Sequence, residues 1–277
     1  MSRVGRPSPV RAVLFDVDDT LYDHSYASRQ AMLEVRRRAP DLATVPLEEM
    51  VRRGEEILRE VHLDLVLTGR TSAEEARTLR MSRLAEALGR PMGPERAREL
   101  AKHRQEAYLR HERAVPGSVE LLRELRSRGL HLGIVSNNRV AEQARKIRAV
   151  GLEPFLQSRT LAEEAGILKP DPSIFHLAVK RTGITREACV MVGDSWQDDV
   201  IGARAAGVDV VWFNRSGAPP GPEPSVRELA SFVPTERALQ IILEGPERAA
   251  RPAPARATHR PMTRVAGNRN PEPKSGR

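Results

Sequence analysis

The stretch Val10-Arg11-Ala12-Val13-Leu14-Phe15-Asp16-Val17-Asp18-Asp19-Thr20 decides how the rest of the chain is read. It opens as a short run rich in β-forming apolar residues and breaks off into acids. That pattern predicts a strand buried in a parallel sheet, its C-terminal end opening into a polar site. Three further runs share the shape. Leu130–Val135 ends in Ser136-Asn137-Asn138, Cys189–Val192 in Gly193-Asp194-Ser195, and Val208–Phe213 in Asn214-Arg215. Helical patterns lie between them. Ser118–Arg128 puts Leu121, Leu122 and Leu125 on one face before Gly129. Arg139–Val150 spaces Val140, Ala144, Ile147 and Val150 helically before Gly151, and Ser173–Thr182 places Ile174, Leu177 and Ala178 before Gly183. Glycine just past the last helical residue is a common stop. Strands alternating with helices predict an α/β fold, a doubly wound (Rossmann-like) parallel sheet core. Its ligand site belongs at the strand C-termini, where all these polar clusters fall.

One stretch breaks the alternation. From about Tyr22 to His111 the patterns are helical, with no convincing strand. Leu47–Val61 carries Leu47, Met50, Val51, Gly54, Ile57, Leu58 and Val61 along one stripe. Ala76, Leu79, Leu84 and Leu88 form a second stripe, and Pro94 starts a third through Leu100, Ala101 and Tyr108. Residues 22–113 are therefore expected to form an inserted all-helical second lobe on an α/β core of 10–21 and 114–244, with Pro116-Gly117 marking the return to the sheet. A lobe beside the first strand's site is placed to close over it and exclude water.

The 277 residues are 40% apolar, enough for a substantial core, and no run approaches the roughly 20 apolar residues of a membrane span. Cys189 is the only cysteine, so no internal disulfide framework exists; a reducing, cytoplasmic setting is expected. The net charge of +8 suggests nucleic acid until its distribution is examined. Residues 245–277 hold eight Arg or Lys against two Glu, Arg3 and Arg6 lie before the first strand, and residues 11–244 are formally neutral. A neutral body is no nucleic-acid surface, so neither nucleic acid nor membrane is an expected partner. The 245–277 tail, with six prolines and few large apolar groups, is expected to be a disordered basic extension.

Asp16 and Asp18 lie two apart at the end of an extended segment, so both can face one side. Two carboxylates that close need a cation between them, or one takes a proton. A hard cation with oxygen ligands, Mg²⁺ above all, meets the need. Asp194, Asp198 and Asp199, at another strand end, supply further carboxylates. Ser136, with the amides of Asn137 and Asn138, stands at a strand-to-helix junction suited to an anion. Lys169 opens Lys169-Pro170-Asp171-Pro172, where the prolines fix the chain and aim the ammonium. It is one of five lysines beside 40 arginines.

The order Asp16-x-Asp18-x-Thr20, Ser136 after a strand, Lys169-Pro170-Asp171-Pro172, then Gly193-Asp194-Ser195 with Asp199 resembles the haloacid dehalogenase (HAD) superfamily over about residues 10–217. The inserted helices resemble the cap of its first subclass. The resemblance implies a Mg²⁺-dependent phosphatase acting on a small phosphorylated metabolite. Asp16 would be the nucleophile that becomes an aspartyl-phosphate, and Asp18 the acid and base. Thr20, Ser136, Asn137 and Lys169 would hold the phosphoryl group. The metal would take the Asp16 side chain, the Asp18 backbone carbonyl and the Asp194 side chain, with Asp199, preferred over Asp198, in support. Metal-free dehalogenases of the superfamily typically lack the second aspartate, present here as Asp18. A sugar-phosphate mutase of the same superfamily, or a non-enzymatic phospho-acceptor module, are the alternatives. The motifs choose neither the phosphomonoester nor the oligomeric state. Tyr22-Asp23-His24, on the linker into the cap, is expected to be a solvated hinge, the alternative being a contact with the leaving group. Arg36–Arg38 and Arg52–Arg53 are expected on a solvated helix face, and Glu163, Glu164 and Gly166 lie near the rim with no role assigned.

Overall fold

Residues 10–62, 65, 70–221 and 226–244 are described by the computed structural model; the basic tail, 245–277, lies outside them. The core is one parallel sheet of six strands: β1 (Ala12–Phe15), β2 (His131–Ser136), β3 (Ser158–Leu161), β4 (Cys189–Gly193), β5 (Asp209–Phe213) and β6 (Arg227–Leu229). Their order is β3-β2-β1-β4-β5-β6, so the chain works outward from β1 in both directions. Phe15 pairs in register with Ile134 on one side and Val192 on the other. Asp16, the next residue, therefore stands at the switch point of the strand order, where ligands bind in such sheets.

Side chains alternate across β1. Val13 and Phe15 face a cluster that includes Leu121 and Leu125 of α5 (Ser118–Ser127), Ile147 of α6 (Val140–Ala149) and Leu239 of α10 (Thr235–Leu243). Ala12 and Leu14 face the opposite cluster, with Ile174 and Phe175 of α8 (Pro172–Thr182) and Ala203 of α9 (Gly202–Ala205). Burial on both faces is why these strands read as continuous apolar runs. The short α7 (Ala162–Ala165) follows β3.

Between β1 and α5 lie α1 (His24–Arg38), α2 (Leu47–Val61), α3 (Ala73–Ala87) and α4 (Pro94–Arg110). They enclose their own apolar cluster, from Met32, Val35, Met50, Ile57, Met81, Leu84 and Leu100. A capping box of Ser72 with Glu75 starts α3, and Pro94 starts α4. The two connections to the sheet run side by side: Asp23 N–H donates to Arg113 O (3.0 Å) and Val115 N–H to Leu21 O (2.9 Å). The expected solvated hinge is corrected here, since Tyr22 and Asp23 are 0% and 1% exposed. A buried carboxylate needs cations, and Asp23 has two: Arg113 at 2.7 Å and Arg215 at 3.1 Å.

The sequence reading missed β3 and β6 and misplaced the buried face of α6. Val140 is 41% exposed, while Gln143 and Lys146 are 0% and 2% exposed. The helix turns these two polar residues inward because both reach the end of β1.

Candidate active site

The chain after β1 folds back sharply. The N–H groups of Thr20, Leu21 and Tyr22 all donate to Val17 O, at 3.3, 2.9 and 2.8 Å. Asp19 takes a left-handed φ of 60°, stabilised because its carboxylate accepts from the Ser25 amide (2.7 Å) and hydroxyl (2.8 Å). The tight turn sends Asp16 and Asp18 to different partners.

Asp16 faces Lys169. The Lys169 ammonium donates to Asp16 Oδ1 at 2.6 Å and to Asp199 Oδ1 at 2.7 Å, and all three residues are buried. Asp199 Oδ2 accepts from the Ser195 amide at 3.0 Å. Asp199 sits in a π-helical turn, Trp196–Ile201, whose wider spacing allows it to reach back beneath Gly193. Carboxylate oxygens of Asp16, Asp194 and Asp199 lie within 4.8 Å of one another; Asp198 is not in this group. Asp194 is placed by Trp212, whose indole N–H donates to Asp194 O (2.8 Å), and by the Thr20 hydroxyl, which donates to its Oδ1 (3.2 Å). Burial, then Asp16 and Asp199, push the Asp194 carboxyl well above the usual range. Burial also raises Asp16, Lys169 opposes, and Asp199 adds to the rise, leaving it at about 7. Against burial, Asp16 and Asp199 raise Lys169, which stays a cation. One ammonium among three carboxylates leaves the cluster short of positive charge. All the donors are hard oxygens, which fits Mg²⁺.

The Asp18 carboxylate lies outside that cluster. Its Oδ1 accepts from Lys146 Nζ (2.7 Å), and its Oδ2 from Asn138 (3.3 Å) and Gln143 (3.2 Å). Burial alone would raise Asp18, but Lys146 outweighs it and the carboxyl is held down at about 2. His24 Nδ1 is 3.9 Å from Asp18 Oδ1 and 2.8 Å from the Tyr108 hydroxyl. Burial and Lys146 push His24 below its ordinary value, so Lys146 is the cation that matters. The Asp18 side chain is thus held apart from the acidic cluster, among Lys146, Asn138 and Gln143.

Ser136 is buried at the end of β2, where its hydroxyl accepts from Gln143. The Asn137 side chain clamps the Lys169 backbone, donating to Lys169 O (2.9 Å) and accepting from Lys169 N–H (2.7 Å). Any contact of Asn137 with an anion therefore falls to its amide. Lys146, Gln143, His24 and Tyr108 were not assigned to the site from sequence, and Asn138 was read there only through its backbone amide. Lysine within a helical pattern reads as surface, and only burial distinguishes Lys146 from the rest. Glu163 accepts from the Val140 amide (2.8 Å) and Arg139 (2.9 Å) at the start of α6, and Glu164 pairs with Arg181 (3.0 Å). Arg37 and Arg38 pair with Glu34, and Arg52 and Arg53 with Glu56, on outward faces of α1 and α2.

Comparison with known proteins agrees with this geometry. The family model for haloacid dehalogenase-like hydrolases matches residues 10–207. A phosphoserine phosphatase of Thermus thermophilus is 42% identical over 135 residues, 48% of this chain and about half (53%) of that protein. A ribulose-1,5-bisphosphate 5-phosphatase of Halopiger xanaduensis is 31% identical over 82% of this chain and 92% of its own length. The fold is shared with the Bacillus subtilis HAD-hydrolase YfnB, crystallised with magnesium, at a TM-score of 0.65 and 24% identity over 85% of this chain and 99% of that one. The chain belongs to the haloacid dehalogenase-like hydrolase family, on its phosphatase branch.

Proposed function

We propose that this chain is a Mg²⁺-dependent phosphomonoester hydrolase that acts on a small phosphorylated metabolite through an aspartyl-phosphate at Asp16. The observation that carries the reading is the buried group of Asp16, Asp194 and Asp199 around one ammonium, Lys169. In this reading Asp16, Asp194 and the Asp18 carbonyl hold the metal, Asp199 supports it, and residues 22–113 act as a cap. When bound, the ion neutralises charge between nucleophile and phosphoryl group.

Asp16 attacks phosphorus as the bond to the leaving oxygen breaks. Lys169, Thr20, Ser136 and the Asn137 amide hold the phosphoryl oxygens in line. Asp18 gives a proton to the departing alkoxide. It then accepts one from the water that attacks the phosphorus of the aspartyl-phosphate, releasing inorganic phosphate and restoring both carboxyl groups. In the substrate-free site Lys146 keeps Asp18 ionised. A phosphate dianion placed beside it raises its proton affinity, because like charges in contact favour the acid form. The relatives' named substrates, phosphoserine and ribulose-1,5-bisphosphate, are small phosphomonoesters, in keeping with this class.

The test is phosphate release from p-nitrophenyl phosphate with and without magnesium. Turnover that requires the ion and stops with excess chelator is expected. Undiminished turnover in chelator would remove the metal from the mechanism.

A further inference from the structure

Arg77 and Arg80 of α3 and Arg104 of α4 line one cavity, together with Met32, Gly54 and Leu58. Residues three apart share a helix face, so Arg77 and Arg80 point to the same space. Two other arginines of these helices have acidic partners: Arg83 meets Glu60 at 3.9 Å, and Arg96 meets Asp41. Among the described residues, Arg77, Arg80 and Arg104 have no carboxylate within salt-bridge distance. Arg104 donates to a neutral hydroxyl, Ser28 Oγ, at 3.1 Å. Burial, then the charge of Arg104, push Arg80 down to about 10, with Glu142 opposing. Burial lowers Arg104 too, with Tyr108 and Glu55 opposing and Arg77 adding to the fall. Three half-buried guanidinium groups around one cavity repel one another unless an opposite charge joins them, so the arrangement suits an anion.

The cluster borders the catalytic edge on two sides. Ser28, held by Arg104, is one turn beyond His24 on α1, and Tyr108, one turn beyond Arg104 on α4, meets His24 at 2.8 Å. His24 in turn lies 3.9 Å from Asp18. On the other side, Arg80 feels Glu142 of α6, whose carboxylate is 3.7 Å from Lys146 Nζ. The cavity therefore lies on the side of Asp18, where the leaving alcohol would take its proton.

We propose that Arg77, Arg80 and Arg104 form a subsite for a second anionic group, a carboxylate or a phosphate, on the leaving-group part of the substrate. The chain would then select phosphomonoesters carrying two anionic groups over those carrying one. Planar guanidinium forks suit both anions. The inference rests on the phosphatase reading of the core for the placement of the first phosphate.

Calorimetric titration of the full chain in magnesium tests it with three phosphonates of matched length: propylphosphonate, 3-phosphonopropionate and 1,3-propanediphosphonate. The wild type should bind one or both dianionic-ended ligands about tenfold or more tightly than propylphosphonate, the loss expected for one charge-assisted contact. The tighter of the two identifies the anion as carboxylate or phosphate. Arg80→Gln and Arg104→Gln should each collapse that ratio. Equal binding of all three ligands by the wild type would overturn the proposal, and so would variants that weaken all three alike. The titration is read without turnover. A wild type that discriminates among the phosphonates yet releases no phosphate from p-nitrophenyl phosphate would count against the hydrolase reading and leave the subsite standing.

Discussion

Lys146 Nζ lies 2.7 Å from Asp18 Oδ1, and the lysine side chain is only 3% exposed. A cation from α6 is thereby fixed on the second aspartate of the loop after β1. The prediction from this pair concerns Lys146→Met, which keeps the length of the side chain and removes its charge. Burial then dominates and Asp18 rises from about 2. Turnover of p-nitrophenyl phosphate should fall about tenfold or more, since well-placed acid–base groups contribute on that scale. Magnesium affinity should persist, because the Asp18 carboxylate is outside the group of Asp16, Asp194 and Asp199. Wild-type turnover in Lys146→Met would contradict the role given to the pair.

Lys169 holds Asp16 and Asp199 together at 2.6 and 2.7 Å inside the core. Lys169→Met leaves those carboxylates buried without their ammonium. The cost expected for breaking a buried ion pair is about 3 kcal/mol or more. Urea unfolding with and without magnesium reads it, and the ion should recover part of the loss by supplying charge to the same carboxylates. Equal stability of variant and wild type in metal-free buffer would contradict this.

A Cβ built on Gly193 would come within 2.3 Å of the Asp199 carboxyl, on the last residue of β4. Gly193→Ala must displace Asp199 or the turn that carries it. The expected results are a destabilisation of about 1–3 kcal/mol and a higher magnesium concentration for half-maximal activity. An unchanged magnesium requirement would show that Asp199 does not support the ion.

His62 of α2's C-terminal end approaches Asn137 O at 3.3 Å, and burial pushes its imidazole below the ordinary value of 6.5. The unfolded chain therefore takes up a proton that the folded chain resists. Stability should be full above that ordinary value and decline as pH falls through it. Urea midpoints at mildly acidic and neutral pH measure the slope, and His62→Gln should reduce it, leaving the part that His24 and His131, also lowered by burial, contribute with the same sign. A slope that the substitution leaves unchanged would contradict the role of His62.

How much of this was legible in the sequence depended on burial. β1, β2, β4 and β5 are covered on both faces and read as apolar runs. β3, Ser158-Arg159-Thr160-Leu161, and β6, Arg227-Glu228-Leu229, are the edge strands, with polar side chains that erase the pattern. Asp16, Asp18, Lys169 and Asp194 were legible because each follows a strand or is fixed by prolines. Lys146 and Gln143 were not. They lie inside a helix whose apolar spacing pointed to Val140 and Ala144, and only the tertiary placement of α6 shows why polar residues are the buried ones. The cavity of Arg77, Arg80 and Arg104 was equally invisible, since arginines are frequent throughout and only the packing of the helices brings these three to one cavity.

The central claim is that the Asp16 carboxylate is the nucleophile. The most direct measurement is the initial rate of phosphate release from p-nitrophenyl phosphate by Asp16→Asn in saturating magnesium, beside the wild type. An amide of nearly the same shape cannot form the acyl phosphate, and the account predicts no detectable release. Turnover at the wild-type rate would contradict it.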